Sequence, residues 1–383
     1  MNKNVFFILY LIVLTVISCA PKISKTTNSN NGKSNELSVY KDVEVTAFYK
    51  RTKGVVAMDG GYSIPLLDGR VLWLFGDSYI DHYDSATKTV PCLFQVRNCA
   101  LLQPANHSWQ WQQTQTLLST GEGSKSYLKN KPDGTYFMWP GAGVQVKDTV
   151  YILCLSLKNV PGGLGFDSAG PPLLAKIKFP EMRVAGFTEL SQDFNGVGFG
   201  QGFIKDEAAG YVYVYGSKSS GLFTNNIYAG RFPIDTPSAN WQFWDGGSWN
   251  NDAQKIAPIG SVPAFSTHVS KVKDKYLLLS ADFSLGCDQG KNIYASTSNS
   301  PTGPFSEKKL IYTIADTVQG HYPFFYLPIA HPEFINAKDE LLINYSINGY
   351  GTCIEGCING KFNPEFYRPQ AIRVPLKFID PEW

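Results

Sequence analysis

The chain has 383 residues, with 34 Lys and Arg against 32 Asp and Glu. Its formal charge of +2 excludes the basic stripe that a nucleic-acid partner would need. Charged residues make up only 17%, aromatic residues 14%, and there are 35 glycines, a balance that suits turn-rich β structure.

The N-terminus reads as a targeting segment. Lys3 supplies a positive charge, and Val5 to Ile17 is almost continuously apolar, interrupted only by Tyr10 and Thr15. A run this short is a signal-peptide core rather than a mature membrane span. The residues Val16-Ile17-Ser18-Cys19 resemble the bacterial lipobox, in which the cysteine is lipidated and becomes the new N-terminus. Residues 1–18 are therefore expected to be a lipoprotein signal peptide, with Cys19 as the lipidation site. Two or more acyl chains anchor firmly because each buried methylene adds ~0.8 kcal/mol. Residues 19–36 are rich in Ser, Thr, Asn, Lys and Gly and cannot bury enough apolar surface to fold, so they are expected to be a flexible tether. These features put the protein on the bacterial cell envelope, lipid-anchored at an outer membrane, facing periplasm or surface.

Residues 37–383 are expected to form one large all-β domain and a monomer. Amphipathic helical patterns are nearly absent, and short aromatic-rich apolar runs recur instead. They are Val71 to Phe75, Tyr151 to Leu155, Tyr211 to Tyr215, Tyr276 to Ser280 and Leu341 to Tyr345. After the first interval they recur every ~60–65 residues, enough for four strands and their loops. Each follows a turn signal: Asp68-Gly69, Lys147-Asp148, Asp206 to Gly210, Lys273-Asp274 and Lys338-Asp339. Five such units predict a five-bladed β-propeller. A β-sandwich or jelly roll is the competing architecture, and it leaves the repeat unexplained.

Of seven cysteines, Cys92 and Cys99 lie close together in one loop, as do Cys353 and Cys357 in another. An exported domain can oxidise such pairs. Cys154 sits in an apolar strand pattern and is expected to be a buried thiol; Cys287 stays unassigned. The five histidines are scattered and no zinc spacing occurs, so no metal ligand and no cofactor are assigned; a structural calcium stays open.

Hairpin pairing suggests where chemistry sits. A two-residue Asp68-Gly69 turn puts Asp59 opposite Ser78 and beside Asp77, at the end of the hairpin away from the turn. The same reasoning groups Trp139 with Ser156, Gly200 with Ser217, Phe265 with Asp282, and His331 and Glu333 with Asn344 to Ser346. The unusual polar residues of every unit then share one end, the mouth of a propeller channel. Paired carboxylates there suit glycosidic cleavage, in which one carboxylic acid protonates the leaving oxygen and a second carboxylate attacks or activates water. Asp59, Asp77 and Glu333 are the candidate catalytic residues. Asp59 would be base or nucleophile, Asp77 would tune it, and Glu333 would be the acid. Tyr62, Trp139, Tyr322, Asp282, His331 and Arg368 are candidate substrate contacts. Each has a plainer structural alternative, since strand-end Asp often caps loop amides and Arg368 could close a salt bridge. Asp206 and Glu207 read as solvated turn residues, and Trp73 as core.

The segments Asp59 to Arg70 and Leu72 to Ser78 resemble the opening motif of bacterial domain-of-unknown-function families 4185 and 5005. Further matches are Trp139-Pro-Gly141, Gly210 to Gly216, Ala330-His-Pro-Glu333 and Tyr367-Arg-Pro369. Ile293 to Thr297 followed by Ser300 to Phe305 resembles a blade of glycoside hydrolase families 43, 32 and 68. The resemblance implies a five-bladed propeller and an oligo- or polysaccharide substrate, with arabinan-type cleavage known in some 4185 relatives. It places Asp59 and Asp77 on the acidic positions of the opening motif. Ala142 stands where relatives often carry Asp, which favours a non-catalytic carbohydrate-binding lipoprotein as the rival reading. An envelope scaffold is the third.

Overall fold

The computed structural model describes residues 37–383, apart from 121–123, 130–135, 162–164, 191–193, 222, 263–265, 283, 285 and 351–352. The targeting segment, Cys19 and the tether lie outside the described residues. Residues Leu37–Trp383 form one compact unit.

Five antiparallel sheets follow one another along the chain. The first contains Val55–Pro65, Val71–Ile80, Cys99–Gln103 and Gln115–Leu117 in that order. The second contains Tyr136–Val146, Thr149–Asn159, Leu173–Lys178 and Arg183–Glu189. The third is built on Gly198–Asp206, Tyr211–Ser219 and Asn225–Pro233, and the fourth on Thr267–Val272, Lys275–Ala281, Asn292–Ser298 and Lys309–Thr313. The fifth runs from Phe324–His331 through Glu340–Asn348 and Gln370–Pro375 to Tyr40–Lys41, so both ends of the domain share it. The first strand of each sheet lies against the first strand of the next, and that of the fifth lies against that of the first. The arrangement is all-β and propeller-type. These inner strands approach closely: a Cβ on Gly202 would fall 2.2 Å from the Val269 carbonyl oxygen.

This packing explains the recurring apolar runs. Val71 to Phe75 is buried throughout. Val71, Trp73 and Phe75 turn towards the fifth sheet, whereas Leu72 and Leu74 turn towards the second. A strand buried on both faces needs no polar alternation. The core is accordingly divided among the spaces between neighbouring sheets. Trp73 is core as expected, its indole N–H donating to Gln103 Oε1 at 2.8 Å.

Two sequence expectations are corrected. The first hairpin closes with Leu66 N–H bonded to the Arg70 carbonyl, giving a three-residue Leu67-Asp68-Gly69 loop rather than a two-residue turn. Gly69, at φ +83°, supplies the left-handed residue such a loop requires. The register moves by one, and Met58, not Asp59, lies opposite Ser78. Likewise Trp139 faces Leu155, and Gly198 faces Ser217. In the fourth sheet Thr267 faces Ser280, the register expected, although Phe265 itself lies outside the described residues.

The disulfides also differ from the local pairs expected. Cys92 is bonded to Cys357, and Cys287 to Cys353. Cys99 points into a strand core and stays a free thiol, as does the buried Cys154. Cys92–Cys357 joins loops 265 residues apart and fastens the first sheet to the fifth, beside a small sheet of Val90–Pro91, Lys361–Phe362 and Cys357–Ile358. Thiol titration of the domain from Leu37 should find no reactive cysteine when folded and two in denaturant. Cys92→Ser should lower stability by about 2–5 kcal/mol in denaturant unfolding.

Candidate active site

Asp59 sits where the first hairpin loses its regular pairing, between Met58 opposite Ser78 and Gly60 opposite Phe75. The break depends on Gly60 and Gly61, at φ +85° and +108°, a region side chains disfavour. The fifth sheet fixes it: Gly60 N–H donates to Ser346 Oγ at 2.9 Å, and Asn344 Nδ2 donates to the Gly60 carbonyl at 2.8 Å. Asp59 then accepts the Tyr326 hydroxyl on Oδ2 at 2.6 Å and also a bond from the Tyr367 hydroxyl. A Cβ on Gly76 would lie 2.5 Å from Asp59 Oδ1, so the pair depends on glycine there.

Asp77 lies behind it. Its Oδ1 accepts the Trp139 indole N–H at 3.1 Å, and its Oδ2 forms a 3.1 Å salt bridge with Arg97 Nη1. The Arg97 guanidinium rests on the Phe137 ring at 3.7 Å and donates to Asn159. Burial raises the Asp59 carboxyl. Burial, and then the charge of Asp59, push Asp77 up to about 7 against the pull of Arg97 and the Trp139 indole. Asp59 is partly exposed while Asp77 is 7% exposed, so Asp59 is the member a solute can meet.

Glu333 does not join them. The strand Phe324–His331 pairs His331 with Leu342, and Tyr326, not His331, with Ser346. His331 and Glu333 are therefore displaced towards the turn end. Glu333 is hydrogen-bonded to Ser63, four residues along the strand from Asp59, on the order of 10 Å away. Ser63 also bonds His331 Nδ1 at 2.6 Å, and His331 Nε2 donates to Asn344 Oδ1. Burial lowers His331 to about 3, so it is a neutral, structural imidazole, and raises Glu333 to about 7. Tyr62 lines a cavity of about 360 Å³ at this end, together with Glu333 and Ala142.

Three further candidates lie outside both groups. Asp282 caps its hairpin, accepting the Asn292 backbone N–H at 3.1 Å. The Tyr322 ring is covered by the Lys291 ammonium at 4.0 Å. Arg368 is 3% exposed and pairs with Glu365, donating also to the carbonyls of Val56 and Arg51. Its guanidinium is consumed by backbone and positions no catalytic carboxylate. Arg97, Tyr326 and Tyr367 escaped the sequence reading. Tyr367 adjoined a recognised motif, whereas Arg97 stood in a cysteine-bounded loop without periodicity. Among the described residues, no group of three or more His, Cys, Asp or Glu could hold a metal ion.

The fold is an all-β, propeller-type domain, and Asp59 and Asp77 form an adjacent pair of carboxyls in it. The chain belongs to the DUF5005 family, a domain of unknown function whose model matches residues 42–380. A candidate hydrolase from Bacteroides ovatus ATCC 8483 shares the fold, with a TM-score of 0.69 and 20% identity over 91% of this chain and 93% of that one. An endo-arabinase from Bacteroides thetaiotaomicron VPI-5482 aligns with a TM-score of 0.47 and 11% identity, over 85% and 97% of the two chains. A family 32 β-fructofuranosidase from Bombyx mori aligns at 0.49 and 11%, over 86% and 62%. No curated protein matches the chain.

The raised carboxyl of Asp77 has a defined effect on stability. Its folded value lies above the ordinary ~3.9, so the folded state binds more protons than the unfolded state between pH ~4 and ~7. Stability contributed by this group falls as pH rises through that window. Asp77→Asn should therefore change stability more favourably at pH 8 than at pH 4, as paired thermal melts at the two pH values would register.

Proposed function

We propose that this protein is a glycoside hydrolase of the cell envelope, cleaving a polysaccharide of arabinan type at the mouth of a five-bladed propeller. In this reading the five sheets are the five blades, and a lipid on Cys19 holds the monomeric domain to the outer membrane through the tether. The observation that carries the reading is the Asp59–Asp77 pair. Glycosidic cleavage needs a proton donor and an ionised carboxylate together. The two carboxyls are adjacent and both are raised by burial, which favours a proton on one member of the pair while the other is ionised. Asp59, the accessible member, serves as base or nucleophile. Asp77 tunes its charge and holds the proton that the leaving oxygen takes up, and Arg97 and Trp139 hold Asp77 in place. Tyr326 and Tyr367 fix the carboxylate plane of Asp59.

A non-catalytic carbohydrate-binding lipoprotein is the second reading. It is favoured by the position of Glu333, which leaves the pair without a third carboxylate among its described contacts. Incubation with arabinans, arabinogalactans and other envelope or plant glycans, followed by chromatography of released sugars, separates the two. Cleavage should fall at least about 1,000-fold in Asp59→Asn, in line with the loss of a carboxylate that acts only in the transition state. Binding without product in the unaltered protein would instead establish the second reading.

A further inference from the structure

We infer that the cavity at the turn end of the channel is a second ligand site, distinct from the carboxylate mouth, for a neutral polyhydroxy molecule about the size of one sugar ring. Its volume of about 360 Å³ falls at the lower end of small-molecule sites, ~300–1,000 Å³. All five sheets contribute to its wall through their first strands, among them Tyr62, Ala142, Phe203, His268 and Ile329.

Two side chains carry the argument. Tyr62 and His268 are each 7% exposed. Buried polar groups are almost always paired. Yet neither the Tyr62 hydroxyl nor His268 Nε2 has a protein partner among the described residues. Neither is one of the fully enclosed orphan atoms of the domain either, so both face the cavity they line. His268 Nδ1 accepts the Ala330 backbone N–H at 3.3 Å, which puts the ring proton on Nε2 as an inward donor. Glu333, bonded through Oε1 to Ser63, adds a third polar group to the wall.

The surroundings select the ligand class. The ammonium groups of the wall residues Lys205 and Lys271 are paired with Glu207 and Asp206, which leaves the Tyr62 hydroxyl, the His268 donor and Glu333 as the polar groups a ligand meets. An anion would meet Glu333. Hydroxyl groups both donate and accept, and therefore satisfy Tyr62, His268 and Glu333 together. The apolar faces of a sugar ring suit Ile64, Phe203 and Ile329.

Calorimetric titration of the protein with D-galactose, D-glucose and L-arabinose tests the site, with glucosamine and glucuronate as charged controls. At least one neutral sugar should bind, and its affinity should fall less in Asp59→Asn than in Tyr62→Phe. Tyr62→Phe removes one oxygen and keeps the packed ring; it should weaken binding about tenfold. His268→Phe should weaken it similarly. Binding lost in Asp59→Asn but unaffected by Tyr62→Phe would put the sugar in the mouth and overturn this site while leaving the mouth reading intact. Absence of binding by all three neutral sugars, or equal binding of the charged controls, would also overturn it.

Discussion

The five main sheets among the described residues bury apolar side chains on both faces, and that single constraint governs the rest. A sheet of this kind is stable only between two others, so the series must close on itself. Closure requires that the first and last sheets meet, and the chain meets it with its own ends. Tyr40–Lys41 completes the fifth sheet, Asp42 caps the helix Val43–Phe48, and the same aspartate binds Arg373 at 2.7 Å. The first strands of successive sheets then lie against one another. Side chains that are far apart in sequence become neighbours there, and the polar ones among them become available for chemistry.

The mouth shows how the ring turns an unfavourable burial into a usable arrangement. Two adjacent carboxylates repel one another, and burial makes each costlier to ionise. The first sheet alone could not hold them. Asn344 and Ser346 reach across from the fifth sheet to grip the Gly60 peptide, Tyr326 and Tyr367 supply hydroxyls, and the second sheet supplies Trp139. Among the described residues, Arg97 is the cation paired with Asp77. The strain of the site is therefore shared among three sheets, and its geometry depends on their mutual packing.

Much of this was legible in the sequence, and the limits are physical. The repeated apolar runs identified the buried central strands because double-sided burial leaves a continuous pattern. Asp59 and Asp77 stand out because hairpin pairing brings both to the end away from the turn. The end of the channel at which Glu333 lies was not legible. The three-residue loop at Leu67 to Gly69 and the early end of Phe324–His331 each change the register, and one residue of slip moves a side chain to the other face. The disulfides were misjudged for a related reason: proximity in sequence favoured Cys92 with Cys99, but Cys99 faces the core of its strand. Tyr326 lay in an aromatic run whose members look alike until the ring brings one of them to Asp59.

The Cys92–Cys357 bond has a mechanical consequence. A pull applied at Leu37 would fall first on the short pairing of Tyr40–Lys41 with Ile372 and Arg373, and on the ion pairs of Lys41 and Asp42. Those contacts could peel away and the fifth sheet would lose its outer strand. The two sheets that meet at the seam would nonetheless stay fastened, because the covalent link lies elsewhere, between the loop that carries Cys92 and the one that carries Cys357. The domain is thus built so that tension at its leading end frays an edge without opening the ring.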